Sequence, residues 1–160
     1  MNEKLRQLLE TQIIKEMESA YLYLDMYRFY AAQGLDGFAN WFKKQASEEM
    51  EHAEKITNFL LDRDVPFAYS DIKLEKINYK DVREPLVETL AHEQLVTSLI
   101  NNLYKVAIEE NDFAAKIFLD WFVTEQVEEE KSAKALIDKI DLVGMSGVAI
   151  YQLDKELAKR

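Results

Sequence analysis

The 160 residues suit a single domain with a sizeable core, and only 4 glycines and 2 prolines stand among abundant Ala, Leu, Glu and Lys, a composition of helices rather than strands. The formal charge of -10, from 30 acidic against 20 basic side chains, argues against nucleic-acid phosphates as partners and for cations. With no cysteine, a disulfide framework, a thiolate zinc site and an iron–sulfur centre are all excluded, so any metal must be held by carboxylate, imidazole or amide.

A first helix is expected over 3–33, stopping at the turn Gly34-Leu35-Asp36-Gly37, where glycine tolerates the left-handed backbone that ends helices. Its inward steps, Leu5, Leu9, Gln12, Glu16, Ala20, Tyr23 and Tyr27, place Glu16 in mid-stripe. A second helix over 38–64 carries Phe38, Phe42, Gln45, Glu49, His52, Ile56 and Phe59 on its inward face, and the short loop lays the two antiparallel. From Val65 to about Lys80, past Pro66, the periodicity fails, which reads as a long crossover. A third helix over 81–111 is expected to start at a capping Asp81 with Pro85 in its first turn. Its stripe is Leu86, Thr89, Glu93, Val96, Ile100 and Leu103. Asp112 caps a fourth helix over 112–142, with Leu119, Phe122, Gln126, Glu129, Ala133, Leu136 and Ile140 inward and Gly144 at its end; a short fifth helix spans 147–159. The fold class is therefore all-α, one domain over 1–160, a four-helix bundle with a long crossover between its second and third helices. No run approaches 18 apolar residues and the opening MNEKLRQLLETQ has no apolar signal core, so no membrane contact and a cytoplasmic location are expected.

One spacing occurs twice on these stripes. Glu16 is followed 33 residues on by Glu49 and three further by His52; Glu93 is followed 33 residues on by Gln126 and three further by Glu129. A four-helix bundle builds a dinuclear metal site in this way, with one Glu from each of two helices and an i, i+3 pair from each of the others. An isolated carboxylate in an apolar interior neutralises itself or recruits a counter-charge, so four Glu and one His on core-facing stripes require a cation.

The oxygen-rich ligand set suits iron or manganese. Glu16, Glu49 and His52 would bind one ion and Glu49, Glu93 and Glu129 a second, with Gln126 as a hydrogen-bonding partner or weak ligand. Because the second copy of the spacing ends in Glu129 rather than histidine, the second ion should be the weaker one. Glu48, Glu125, Glu128 and Glu129 offer a third metal position, the alternative being a solvated acidic face. Tyr23, two turns beyond Glu16, is either a redox or hydrogen-bonding neighbour of the metals or a core tyrosine. His92, one step off its stripe, reads as a rim histidine, and Trp121 as packing.

The segments Ala46-Ser-Glu-Glu-Met-Glu-His-Ala-Glu54, His92-Glu-Gln-Leu-Val-Thr97 and Phe118-Leu-Asp-Trp-Phe-Val-Thr-Glu-Gln-Val-Glu-Glu-Glu-Lys131 closely resemble those of prokaryotic non-haem ferritins, and the resemblance runs through the whole chain. It implies a ferritin-like bundle whose ferroxidase centre is Glu16, Glu49, His52, Glu93, Gln126 and Glu129, with Tyr23 beside it. A third iron position would comprise Glu48, Glu125, Glu128 and Glu129. It implies Fe(II) as substrate, dioxygen or hydrogen peroxide as oxidant, and a homo-oligomeric 24-subunit shell storing ferric mineral. The alternative is a di-iron peroxidase or oxygenase without a mineral. Bacterioferritins also share the Glu-Met-x-His pattern around Met50, but they carry Glu-x-x-His where this chain has Gln126-x-x-Glu129; no haem is expected and Met50 is assigned to packing. Animal ferritins have an acidic pair ten and seven residues before this glutamine, where Lys116 and Leu119 stand here.

Overall fold

The computed structural model describes residues 1–74 and 78–159, and among them five helices form: α1 (Glu3–Ala31), α2 (Asp36–Asp62), α3 (Glu84–Glu109), α4 (Phe113–Val143) and α5 (Gly147–Leu157). Asn2 caps α1 by accepting from the Lys4 amide at 2.8 Å. Gly34 takes φ 73° in the turn that follows. Asp112 caps α4 as expected, accepting from the Ala115 amide at 3.0 Å. It also takes two bonds from the Arg63 guanidinium, at 2.8 and 2.9 Å, which tie the end of α2 to the start of α4.

Helix α3 starts later than the expected residue 81. Asp81 Oδ1 accepts from the amides of Arg83 at 2.8 Å and Glu84 at 3.0 Å, so Asp81 closes a turn ahead of the helix, which leaves Pro85 in its first turn. Helix α2 instead starts two residues early. Leu35, at its N-cap, supplies no side-chain bond; Asp154 of α5 does so from a distance, accepting from the amides of Gly37 at 2.8 Å and Phe38 at 3.0 Å. A Cβ at Gly37 would lie 1.8 Å from the Asp154 carbonyl oxygen, so only glycine allows this docking of α5.

The core explains the connectivity. One apolar cluster gathers Leu5, Leu9, Ile56, Leu60, Ile100, Leu103, Leu119 and Phe122. A second gathers Tyr23, Met26, Tyr30, Phe38, Phe42, Leu86, Leu136, Ile140 and Leu153. Helices α1 and α4 thus run from the first cluster to the second, and α2 and α3 run back, so α2 and α3 are parallel and need the long connection at 63–83. Tyr30 stacks between Phe38 and Phe42, at 4.9 and 5.3 Å, and its hydroxyl donates to the Val82 carbonyl at 2.7 Å, pinning the end of that connection. Tyr27 and Phe59, expected on the inward stripes, are half-buried, while Met26, Tyr30 and Leu60 take the core positions. Met26, Tyr30 and Leu60 continue the seven-residue steps of Leu5-Gln12-Ser19, Leu9-Glu16-Tyr23 and Ala46-Ala53, a register that the expected stripes leave at Tyr27 and Phe59. No helix among the described residues is long and apolar enough to cross a membrane.

Candidate metal centre

Between the two apolar clusters lies a layer of buried polar side chains: Gln12, Glu16 and Ser19 of α1, Gln45, Glu49 and His52 of α2, Thr89 and Glu93 of α3, Gln126 and Glu129 of α4. All six residues of the doubled spacing are in it, none more than 7% exposed. Each lies near the middle of its helix, where the backbone groups are bonded within the helix and leave only side chains to satisfy the carboxylates.

His52 turns Nδ1 inward, 3.3 Å from Glu49 Oε2 and 4.0 Å from Glu16 Oε2. Gln12 Nε2 donates to Glu16 Oε1 at 2.8 Å, whereas the buried Glu16 Oε2 meets no nitrogen or hydroxyl donor among the described residues, only the carboxyl of Glu49. On its other edge His52 presents Nε2 to Glu125 Oε1 at 3.9 Å. Among the described residues, two groups bring ligand atoms within 4.8 Å of one another: Glu16, Glu49 and His52, and His52, Glu125 and Glu129.

Glu93 belongs to neither group, so Glu49, Glu93 and Glu129 are not drawn together to that distance, and both oxygens of Glu93 are engaged by donors. The Tyr23 hydroxyl donates to Oε1 and Gln126 Nε2 to Oε2 at 3.1 Å. Gln45 Nε2 likewise donates to Glu129 Oε2 at 2.8 Å. Gln126 thus meets the site as a donor, with its nitrogen toward Glu93.

The electrostatics follow from this packing. Burial, then the facing Glu49, drives Glu16 well above the usual carboxyl range; burial, then Glu93, does the same to Glu49. Burial also raises Glu93, against the bonds from Tyr23 and Gln126 that lower it. Glu129 rises from 4.5 to about 7, through burial and the neighbouring Glu93. Tyr23, buried against Glu93, is held well above its ordinary value and stays a phenol. A divalent cation would relieve both causes at once, neutralising the repulsion and replacing lost hydration, so the donor set fits a hard, oxygen-seeking metal ion.

The surroundings refine the sequence reading. Glu125 faces the layer, whereas the Glu128 side chain is 61% exposed and pairs with Lys131 at 3.5 Å. Glu48 is half-buried, and its charge raises both Glu49 and Glu129. His92 is half-buried at the rim, with Nε2 2.7 Å from Ser19 Oγ and its ring edge-on to Tyr23 at 6.0 Å; burial lowers its pKa to about 4. Trp121 packs edge-on to His52 at 5.3 Å and to Phe122 at 4.8 Å, with Lys55 Nζ 4.2 Å over its ring. Met50, assigned to packing, is instead 45% exposed, because its position on α2 turns away from the bundle. The roles of Gln12 and Gln45 were missed, although each is a polar residue on an apolar stripe, four places before Glu16 and Glu49 respectively.

A family model for the ferritin-like domain matches residues 6–143. A probable bacterial non-heme ferritin-like protein of Haemophilus influenzae is 36% identical over 157 residues, 98% of this chain and 95% of the relative. A bacterial non-heme ferritin of Staphylococcus aureus is 33% identical over 160 residues, covering 100% of this chain and 96% of the relative. Among solved structures, an open pore ferritin from the archaeon Archaeoglobus fulgidus superposes with a TM-score of 0.97 at 38% identity, over 100% of this chain and 98% of that one.

Proposed function

The chain belongs to the ferritin family, and on that premise we propose that it is a cytoplasmic iron store that oxidises Fe(II) in the polar layer and keeps the ferric product inside a shell of 24 copies. The observation that carries this reading is the buried pair of Glu16 and Glu49 carboxyls beside the His52 imidazole, where Glu16 Oε2 meets no nitrogen or hydroxyl donor among the described residues and burial raises both carboxyls. A preformed anionic pocket of this kind binds a divalent cation by giving up its protons.

In this reading Glu16, Glu49 and His52 take the first Fe(II), and Glu49, Glu93 and Glu129 the second, with Gln126 and Gln45 holding the carboxylates of α3 and α4 in place. Glu125 and Glu129, with Glu48 nearby, form a third position for iron on its way through, and Glu128, exposed beside Lys131, stands outside it. Each pair of Fe(II) gives up two electrons. Dioxygen takes them with two protons and leaves as hydrogen peroxide, or hydrogen peroxide takes them with two protons and leaves as two waters. Tyr23 orients Glu93 by donating its hydroxyl to Oε1. The names of the Staphylococcus and Haemophilus relatives support a non-haem ferritin. A shell is supported by large apolar side chains on the outside of the single chain, among them Leu142, Val148 and Tyr151 around α5 and Phe113 and Ile117 on α4.

Aerobic Fe(II) loading of the metal-free protein, followed by gel filtration with iron counted against protein, tests this. Iron co-eluting with a large shell, far beyond two or three ions per chain, is the expected outcome. Iron halting at about two per chain in a small species would point to a retained dinuclear cofactor and a different enzyme.

A further inference from the structure

A hydrogen-bonded line leaves the polar layer on the side away from His52. Gln126 Nε2 donates to Glu93 Oε2 at 3.1 Å, to the Glu93 carbonyl at 3.3 Å and to Thr97 Oγ1 at 3.4 Å. The Thr97 hydroxyl in turn donates to Glu130 Oε1 at 2.6 Å. Thr97, Gln126 and Glu130 line a groove of about 290 Å³ between α3 and α4, with Gln126 at its buried end. Neither Thr97 nor Glu130 has a place in the site as described so far.

The direction of the bonds matters. A threonine hydroxyl has one hydrogen, and here the Glu130 carboxylate takes it, so toward Gln126 Thr97 offers only lone pairs. The Glu93 carbonyl also offers only lone pairs. A Gln126 turned the other way would set its amide oxygen against both of these and the Glu93 carboxylate. The amide is therefore locked with nitrogen toward Glu93, and its oxygen is turned away from the carboxylate it supports.

We infer that Thr97 and Glu130 are positioning residues for the second metal position. They act through Gln126, fixing it as a donor so that it holds the Glu93 carboxylate in place for the second ion and does not itself become a competing ligand. This rests on the reading of the layer as a two-ion site, and it concerns only its α3–α4 half. Partners that orient metal ligands from outside are worth about 10–100-fold in affinity.

Calorimetric titration with Zn(II), a redox-inert probe, separates the two ions. In the full-length protein, Thr97→Val, which removes the hydroxyl at nearly constant volume, is expected to weaken the second ion about tenfold and leave the first unchanged. Thr97→Ser should restore the second step, because it restores the hydroxyl. Glu130→Gln should keep it, because a side-chain amide oxygen still accepts from Thr97, while Glu130→Leu should weaken it as Thr97→Val does. Unchanged or tighter binding of the second ion in Thr97→Val overturns the inference. So does equal weakening of both ions without rescue by serine, which is the mark of a merely structural role. A wild-type chain that takes up no Zn(II) would instead remove the metal reading beneath it.

Discussion

The two halves of the polar layer are built from one spacing and end in opposite electrostatic conditions. In the α1–α2 half, one oxygen of Glu16 meets no nitrogen or hydroxyl donor among the described residues and faces the Glu49 carboxyl and an imidazole nitrogen. In the α3–α4 half, Tyr23 and Gln126 occupy both oxygens of Glu93, and Gln45 reaches across to Glu129. In the first half one carboxyl oxygen meets no nitrogen or hydroxyl donor among the described residues; the second half is steadied by neutral donors before any ion arrives. An unpartnered buried acceptor costs about 1–3 kcal/mol, and a cation there recovers it. The same cation in the second half competes with hydrogen bonds already made. On the proposed two-ion reading, ordered uptake, first ion then second, is the expected outcome of that difference.

In the proposed centre Glu49 serves both ions, so its replacement should have the largest effect. Glu49→Gln is expected to slow aerobic Fe(II) oxidation by more than about 100-fold, since a ligand is worth at least as much as the partners that orient it. Stopped-flow absorbance of the ferric product reads this directly, with the oligomer checked by gel filtration. Oxidation at the parental rate would remove the layer from the reaction altogether.

Protonation comes next. In the fold Glu129 keeps its proton up to about pH 7, whereas an ordinary glutamate ionises near 4.5. Between those values the folded state binds more protons than the unfolded chain, so stability must fall as pH rises. The contribution is fully present below 4.5 and gone above about 7. At 1.36 kcal/mol per pH unit it amounts to about 3 kcal/mol from Glu129 alone. Glu16, Glu49 and Glu93 are raised as well and act in the same direction. Urea unfolding of the metal-free protein at pH 5 and pH 8 should show the loss, and saturating Zn(II) should reverse it at pH 8 by replacing the protons. A metal-free protein as stable at pH 8 as at pH 5 would mean that the layer is already hydrated or neutralised.

Much of this layer was legible in the sequence, for a physical reason. Glu16, Glu49, Glu93 and Glu129 fall on largely apolar stripes, and a buried acid is legible because its neighbours one and two turns away on the stripe are mostly apolar, even where its neighbours along the chain are acids. The order of the helices was legible too, since Gly34, Pro85 and Asp112 mark turns and caps locally. What pairs distant parts of the chain was not. Asp154 capping α2 and Arg63 gripping Asp112 carry no local signature. Nor did the sequence show that Gln12 and Gln45 would be donors rather than spacers, because an amide on a stripe reveals polarity but not direction. The start of α3 was misplaced for a related reason: Asp81 has the chemistry of a cap and uses it on a turn.

A smaller effect separates the halves through Tyr23. Tyr23→Phe removes one of the two donors on Glu93 and touches nothing in the Glu16, Glu49 and His52 group. Fe(II) oxidation should slow by about tenfold while binding of the first Zn(II) holds. Loss of the first ion instead would show that the halves are not independent, and the asymmetry drawn above would collapse.

The finest distinction lies at the outer edge, where four acids look equivalent in sequence and only some face inward. Glu125 approaches His52 Nε2 at 3.9 Å and shares a group with Glu129, whereas Glu128 is exposed and paired with Lys131. An exposed pair of this kind contributes about 0–1 kcal/mol, and its charge is screened by solvent. Glu125→Gln should therefore lower uptake by a few-fold, through the charge it removes beside a ligating imidazole. Glu128→Gln should change uptake by less than about twofold. If iron taken up per chain and initial oxidation rate fell equally in both variants, the third position would extend out to Glu128, and the outer acids would act as one field rather than as a site.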